Sequence, residues 1–99
     1  MAAKVLKPVH PGEVLEEEFI VPFRLTAESL SQEIHIDAQV VDNVLARKSG
    51  ITADLAMRLA RYFGTTPRFW LGLQSDYDLD VAEDTIGQDL ERDIVPLAA

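Results

Sequence analysis

Residues 34–50 read IHIDAQVVDNVLARKSG. Asp37 is a residue type that caps helices, because its carboxylate accepts the N–H groups left free in the first turn. Beyond it, Val41, Val44 and Leu45 recur at helical spacing and form the inner stripe of a helix over Ala38 to Ala46. Gln39, Val40, Asp42 and Asn43 are left more outward. HID forms a short turn, and RKSG closes the helix and supplies a loop. Upstream, Thr26 caps a helix over Ala27 to Ile34, with Leu30 and Ile34 facing inward. The segment is thus a helix, a tight turn and a second helix.

The flanks are helical too. In HPGEVLEEEFIVPF, His10 precedes a proline and is biased away from helix, Pro11 suits the first helical position, and Pro22 ends the helix. Glu13, Glu16 and Glu17 sit near the positive end of the helix dipole, and that electrostatics accounts for them better than a catalytic role does. Thr52 caps a helix over Ala53 to Phe63, where Leu55, Leu59 and Phe63 recur, and Gly64 is placed to stop it. Thr66 and Pro67 start a fifth helix, whose apolar face runs through Trp70, Leu73, Tyr77 and Val81 to about Glu83. Gly87 breaks the pattern. QDLERDIVP is left either as one more short helix or loose until something binds it. The prediction is an all-α protein: a five-helix bundle over residues 10–83, an N-terminal arm over 1–9 and an acidic tail over 84–99.

The chain has 99 residues, enough for one small domain, and no cysteine, which excludes disulfides and thiolate chemistry. It contains no secretion signal and no run of ~18 apolar residues, which predicts a cytoplasmic protein without a membrane partner. The formal net charge is −8. Asp76 to Asp93 holds eight acids against Arg92, a net −7, whereas Val44 to Ser75 holds Arg47, Lys48, Arg58, Arg61 and Arg68 against Asp54, a net +4. Opposite charges separated along a chain suggest two partners; a solvated helix face is the plainer explanation of the tail.

Raw material for catalysis is scarce. His10 and His35 stand apart with no ligand set for a metal, no serine has a nucleophile-elbow context, and there is no glycine-rich phosphate loop. No enzyme activity, metal or cofactor is expected. A helix–turn–helix unit has a different use: its second helix fits the major groove while the first braces it. Gln39, and Asn43 one turn on, can each pair with adenine, and Val40 can pack on a thymine methyl. Arg47 and Lys48 can neutralise phosphate, and the Thr26 helix start can hold another. Such geometry also occurs in bundles that bind no nucleic acid, where Gln39 and Asn43 are merely exposed. Asp37 and Asp42 weaken the electrostatic attraction, and a dimer on paired half-sites would compensate.

HPGEVLEEEF, GITADLAMRLARYFGTTPRFWLGLQSDYDL and the helix–turn–helix between them resemble the HigA-type antitoxins, also called VapI-like or plasmid-maintenance antidote proteins. These belong to the Xre, or Cro/phage-repressor, class. The likeness covers about His10 to Glu83, and ITADLAMRLARYFGTTPRFWL is its most specific part. It implies the lambda-repressor-like bundle and the antitoxin half of a toxin–antitoxin pair. Such a protein neutralises a HigB-like toxin, a small basic ribonuclease that cuts messenger RNA, and represses its own operon as a dimer on a palindromic operator. Carried over by position, the DNA-facing set is Thr26, Ala38, Gln39, Val40, Asn43, Arg47 and Lys48. Related chains often carry a polar or basic residue at the position of Val40 and a small one, commonly glycine, at that of His35. A basic toxin makes the acidic segment a candidate docking surface through Asp76, Asp78 and Asp80. Trp70, Leu73, Tyr77 and Val81 form a candidate dimer face, with core burial under the tail as the alternative. A stand-alone Xre-type regulator and a protein adaptor that has lost DNA binding are the competing functions.

Overall fold

Each helix begins where a side chain can accept its first free N–H groups, and the computed structural model, which describes residues 8–98, has these caps formed. The arm expected over 1–9 lies outside the described residues except for Pro8 and Val9. Helix α1 (Pro11–Leu15) is capped by His10, whose Nδ1 accepts the Gly12 N–H at 2.9 Å. Helix α2 (Ala27–Glu33) starts with a reciprocal pair: Thr26 Oγ1 accepts from Ser29 N–H and Ser29 Oγ accepts from Thr26 N–H, both at 2.9 Å. Asp37 caps α3 (Ala38–Leu45), accepting the Gln39 N–H at 2.8 Å. Thr52 caps α4 (Ala53–Phe63) and Thr66 caps α5 (Pro67–Asp93). Such caps contribute about 1 kcal/mol each. Gly64, at φ 74°, ends α4 in the left-handed conformation that a side chain would strain.

The inner stripes meet in one core. Leu15, Leu30, Val41, Val44, Leu55, Leu59 and Trp70 are almost fully enclosed, with Phe19, Leu45 and Phe63 packed at its edge. α2 and α3 pack on each other, α1 lies against α3 and α5, and α4 runs along α5. The single tryptophan anchors an aromatic cluster with Phe19, Phe63 and Phe69, and its indole N–H donates to Thr65 Oγ1 at 2.7 Å.

Two elements depart from the sequence reading. The first helix widens into a π-helical turn over Glu16–Ile20, where the Val21 N–H donates to the Glu16 carbonyl at 2.9 Å. Pro22 has no N–H to donate, so the ladder skips that position and resumes with one bond from the Phe23 N–H to the Phe19 carbonyl at 3.2 Å. The fifth helix does not stop near Glu83 and passes through Gly87 to Asp93, so no separate C-terminal helix forms. One glycine inside a helix costs only about 1 kcal/mol, too little to break a helix that is well formed on both sides. Thr85 Oγ1 donates back to the Val81 and Ala82 carbonyls, and Arg92 bonds Asp89 and Asp93 near the end.

Candidate nucleic-acid interface

Helix α3 is held from below by close approach. A Cβ on Gly12 would fall against the Val44 carbonyl oxygen, so only glycine lets α1 lie this near the end of α3. The opposite side of α3 is open, with Gln39, Asp42 and Ala46 exposed and uncovered by any described element of the subunit. Gln39 and Asn43 share that side, and Gln39 Nε2 donates to Asn43 Oδ1 at 2.9 Å. The bond uses one of two Nε2 hydrogens. The remaining N–H and Oε1 still match N7 and the N6 amino group of adenine, while Asn43 keeps its own NH2 for a further acceptor. Ala38 and Val40 are half-buried, and Val40 packs partly against the core, so less of it faces outward than the sequence suggests.

The turn into α3 is tight. His35 is exposed and adopts φ 58°, a conformation that histidine tolerates better than most residues and glycine better still. The Ile36 N–H donates to the Ser31 carbonyl at 3.0 Å, and the Ile36 side chain packs on the core edge. From α4, Arg58 Nη1 donates to the carbonyls of Ile34 at 2.8 Å and His35 at 2.9 Å, while its Nε bonds the Asp54 carboxylate at 3.1 Å. Sequence reading counted Arg58 only among the basic residues of Val44 to Ser75. The i,i+4 spacing from Asp54 was legible, but its reach to the turn depends on the tertiary packing.

The basic residues beyond α3 are unequally placed. Lys48 is exposed. Arg47, at φ 61°, turns toward α1, with Nη1 3.6 Å from Glu16 Oε1 and Nη2 3.9 Å from Glu13 Oε1. These pairs are half-exposed and worth at most about 1 kcal/mol each, and Nη1 also donates to the Leu45 carbonyl at 2.6 Å, so turning Arg47 toward a phosphate exchanges these contacts for a new one. Thr26 is exposed at the start of α2, its side chain engaged in the cap.

Helix α5 separates the remaining sets. Trp70 is 0% exposed and belongs to its own subunit's core, and Leu73 and Tyr77 are half-buried, Tyr77 meeting the His10 ring edge-on at 4.8 Å. Val81 alone of that stripe is 36% exposed. A second apolar row missed in the sequence, Leu79, Ile86 and Leu90 at 65%, 46% and 44% exposure, recurs on the other side of the helix. Asp76 and Asp80 share a flank by their i,i+4 spacing, with Asp76 exposed and Asp80 half-buried. Asp78 lies elsewhere, accepting from Gln74 Nε2 at 2.9 Å, while Gln74 Oε1 accepts the Ile51 N–H at 2.7 Å. No helix among the described residues is long and apolar enough to cross a membrane, and no three potential metal ligands among them converge.

No family model matches the chain. It is 43% identical over 75 residues to virulence-associated protein I of Dichelobacter nodosus, covering 76% of this chain and 69% of that one. It is 36% identical over 73 residues to antitoxin HigA-1 of Vibrio cholerae, covering 74% and 69% respectively. The structure superposes on the Pseudomonas aeruginosa antitoxin HigA, solved with the higBA promoter, with a TM-score of 0.89 and 40% identity over 92% of this chain and 99% of that one. With a shared fold over nearly its whole length and these levels of identity, the chain belongs to the HigA-type, VapI-like antitoxins of the Xre helix–turn–helix class.

Proposed function

We propose that this protein is the antitoxin of a toxin–antitoxin pair, binding its own operator through α3 and a HigB-like, messenger-RNA-cleaving toxin through a separate surface. The observation that carries the DNA half is the linked Gln39–Asn43 amide pair on an uncovered face of a capped second helix. In this reading Gln39 and Asn43 read bases, Ala38 and Val40 sit close to the groove wall, and Lys48, a redirected Arg47 and the Thr26 helix start meet phosphates. The solved promoter complex of the Pseudomonas relative supports it.

The protein acts by binding, without catalysis, in the cytoplasm where operator DNA lies. It works as a homodimer, which places two α3 helices on the halves of a palindrome. Of the dimer set read from the sequence, Val81 remains accessible, and the row of Leu79, Ile86 and Leu90 on the other side of α5 offers a partner copy a second, more exposed apolar surface. The acidic stretch of α5, with Asp76, Asp78 and Asp80 at its start, takes the basic toxin.

The test is co-expression with the product of the neighbouring gene, followed by a mobility-shift assay of the upstream region at stated salt. Co-purification with a basic partner and a shift specific to that region are expected. A specific shift without any partner leaves a stand-alone Xre-type regulator. Co-purification without a shift leaves a partner-holding protein alone.

A further inference from the structure

Helix α4 packs along α5, and a cleft of about 530 Å³ opens between it and the end of α2. Ile34 and His35 line one wall, Met57 and Tyr62 the other, and Arg58 crosses it. A helix leaves its last carbonyls without intrahelical partners, and its C-terminal end carries partial negative charge. Arg58 answers both: one nitrogen donates to the carbonyls of Ile34, which ends α2, and of His35, the left-handed residue that redirects the chain into α3. Asp54, one turn back on α4, holds Nε at 3.1 Å and so fixes the plane of the guanidinium. A lysine could supply the charge but not this fork.

We propose that Arg58 is a positioning residue for DNA recognition. By clamping the two carbonyls of the turn it fixes where α3 leaves the α4–α5 body, and it thereby sets operator affinity without touching DNA. This rests on the operator-binding reading above.

The test uses the full chain with Arg58→Met, Arg58→Lys and Asp54→Asn. It measures affinity for the operator and for a scrambled duplex at several salt concentrations, thermal stability, and amide exchange at His35 and Ile36. Arg58→Met is expected to weaken operator binding about tenfold, the scale of one lost charge-assisted hydrogen bond. Scrambled-duplex affinity and salt slope stay those of the parent, and exchange at His35 and Ile36 quickens. Arg58→Lys recovers part of the loss. A salt slope lower by about one, with equal loss on both duplexes, would make Arg58 a phosphate contact and overturn the proposal. Unchanged operator affinity would overturn it as well. Should Arg58→Met fail to fold, Asp54→Asn decides: it keeps the guanidinium but replaces the charged acceptor of Nε with a neutral amide oxygen, so a smaller loss in the same direction is expected, and no loss refutes the clamp. A parent chain with no preference for its operator would refute the DNA reading, and the exchange rates then judge the clamp separately.

Discussion

Gln39 and Asn43 already meet before any duplex arrives, so neither amide is an independent reader of sequence. Gln39→Ala should relax specificity at one base pair and cost ~1–3 kcal/mol of operator binding. Because Asn43 loses its orienting partner in that variant, the double variant with Asn43→Ala should fall short of the sum of the singles by about 0.5 kcal/mol or more. Anisotropy titrations of the four proteins measure this, and strict additivity would mean that the pair comes apart on DNA. His10 makes a second prediction at this scale. Burial, and next the positive charge of Arg47, hold its imidazole below the ordinary value of 6.5, against the opposing effects of a Ser49 backbone hydrogen bond and Asp78. With the folded value lowered, the unfolded chain takes up the proton first. The contribution of His10 to stability is therefore complete above pH 6.5 and is lost as pH falls through the folded value. The proton also occupies Nδ1, the acceptor that caps α1. Denaturant midpoints at about pH 5 and pH 7.5 should differ less in His10→Asn, which keeps a capping acceptor, than in the parent. Equal acid losses in the two would assign the effect to carboxylates.

At the scale of elements, Gly12 sets the sign of a substitution that propensity alone would misjudge. Alanine in place of glycine ordinarily favours a helix by up to about 1 kcal/mol. Here its methyl would meet the backbone carbonyl of Val44, which has no rotamer by which to yield. Gly12→Ala is therefore expected to lose about 1–3 kcal/mol in denaturant unfolding. A more stable variant would show that α1 can slide on α3. The helix starts were legible because Thr26, Asp37, Thr52 and Thr66 carry out their capping chemistry within three residues of themselves. The stripes of α3 and α4 were legible from their period. Other features depend on residues remote in sequence: Arg47 turns to Glu13 and Glu16 in another helix, and Arg58 reaches a turn 23 residues away. The end of α5 was misread because Gly87 looks like a stop signal, while the bonds that carry the helix past it add up from many small contributions.

Across the whole molecule the question is how a chain of net charge −8 approaches DNA. A 27-residue helix is about 40 Å long, several times the ~8 Å screening length of physiological salt. Most of the negative charge therefore rides on a rod that need not lie beside the duplex. Neutralising Asp76, Asp78 and Asp80 together should slow association with a basic toxin and flatten its salt dependence in stopped-flow mixing. Unchanged kinetics would reduce the acidic helix to a solvated face. The two apolar rows of α5 make a further contrast. Leu79→Lys should yield monomers in sedimentation and weaken operator binding, since two half-sites no longer act together. Trp70→Ala should instead cost about 3–5 kcal/mol of stability, because its ring fills the core of one subunit. A folded monomer from Trp70→Ala would reverse the two assignments.

That enclosed ring also equips the protein with its own optical reporter. As the only indole in the chain, shielded from solvent and bonded to Thr65, it gives blue-shifted emission that reddens once the interior opens to water. Occupation of the α3 face leaves its surroundings dry, so ultraviolet fluorescence follows unfolding of every variant named above that keeps Trp70, with duplex present and no attached dye.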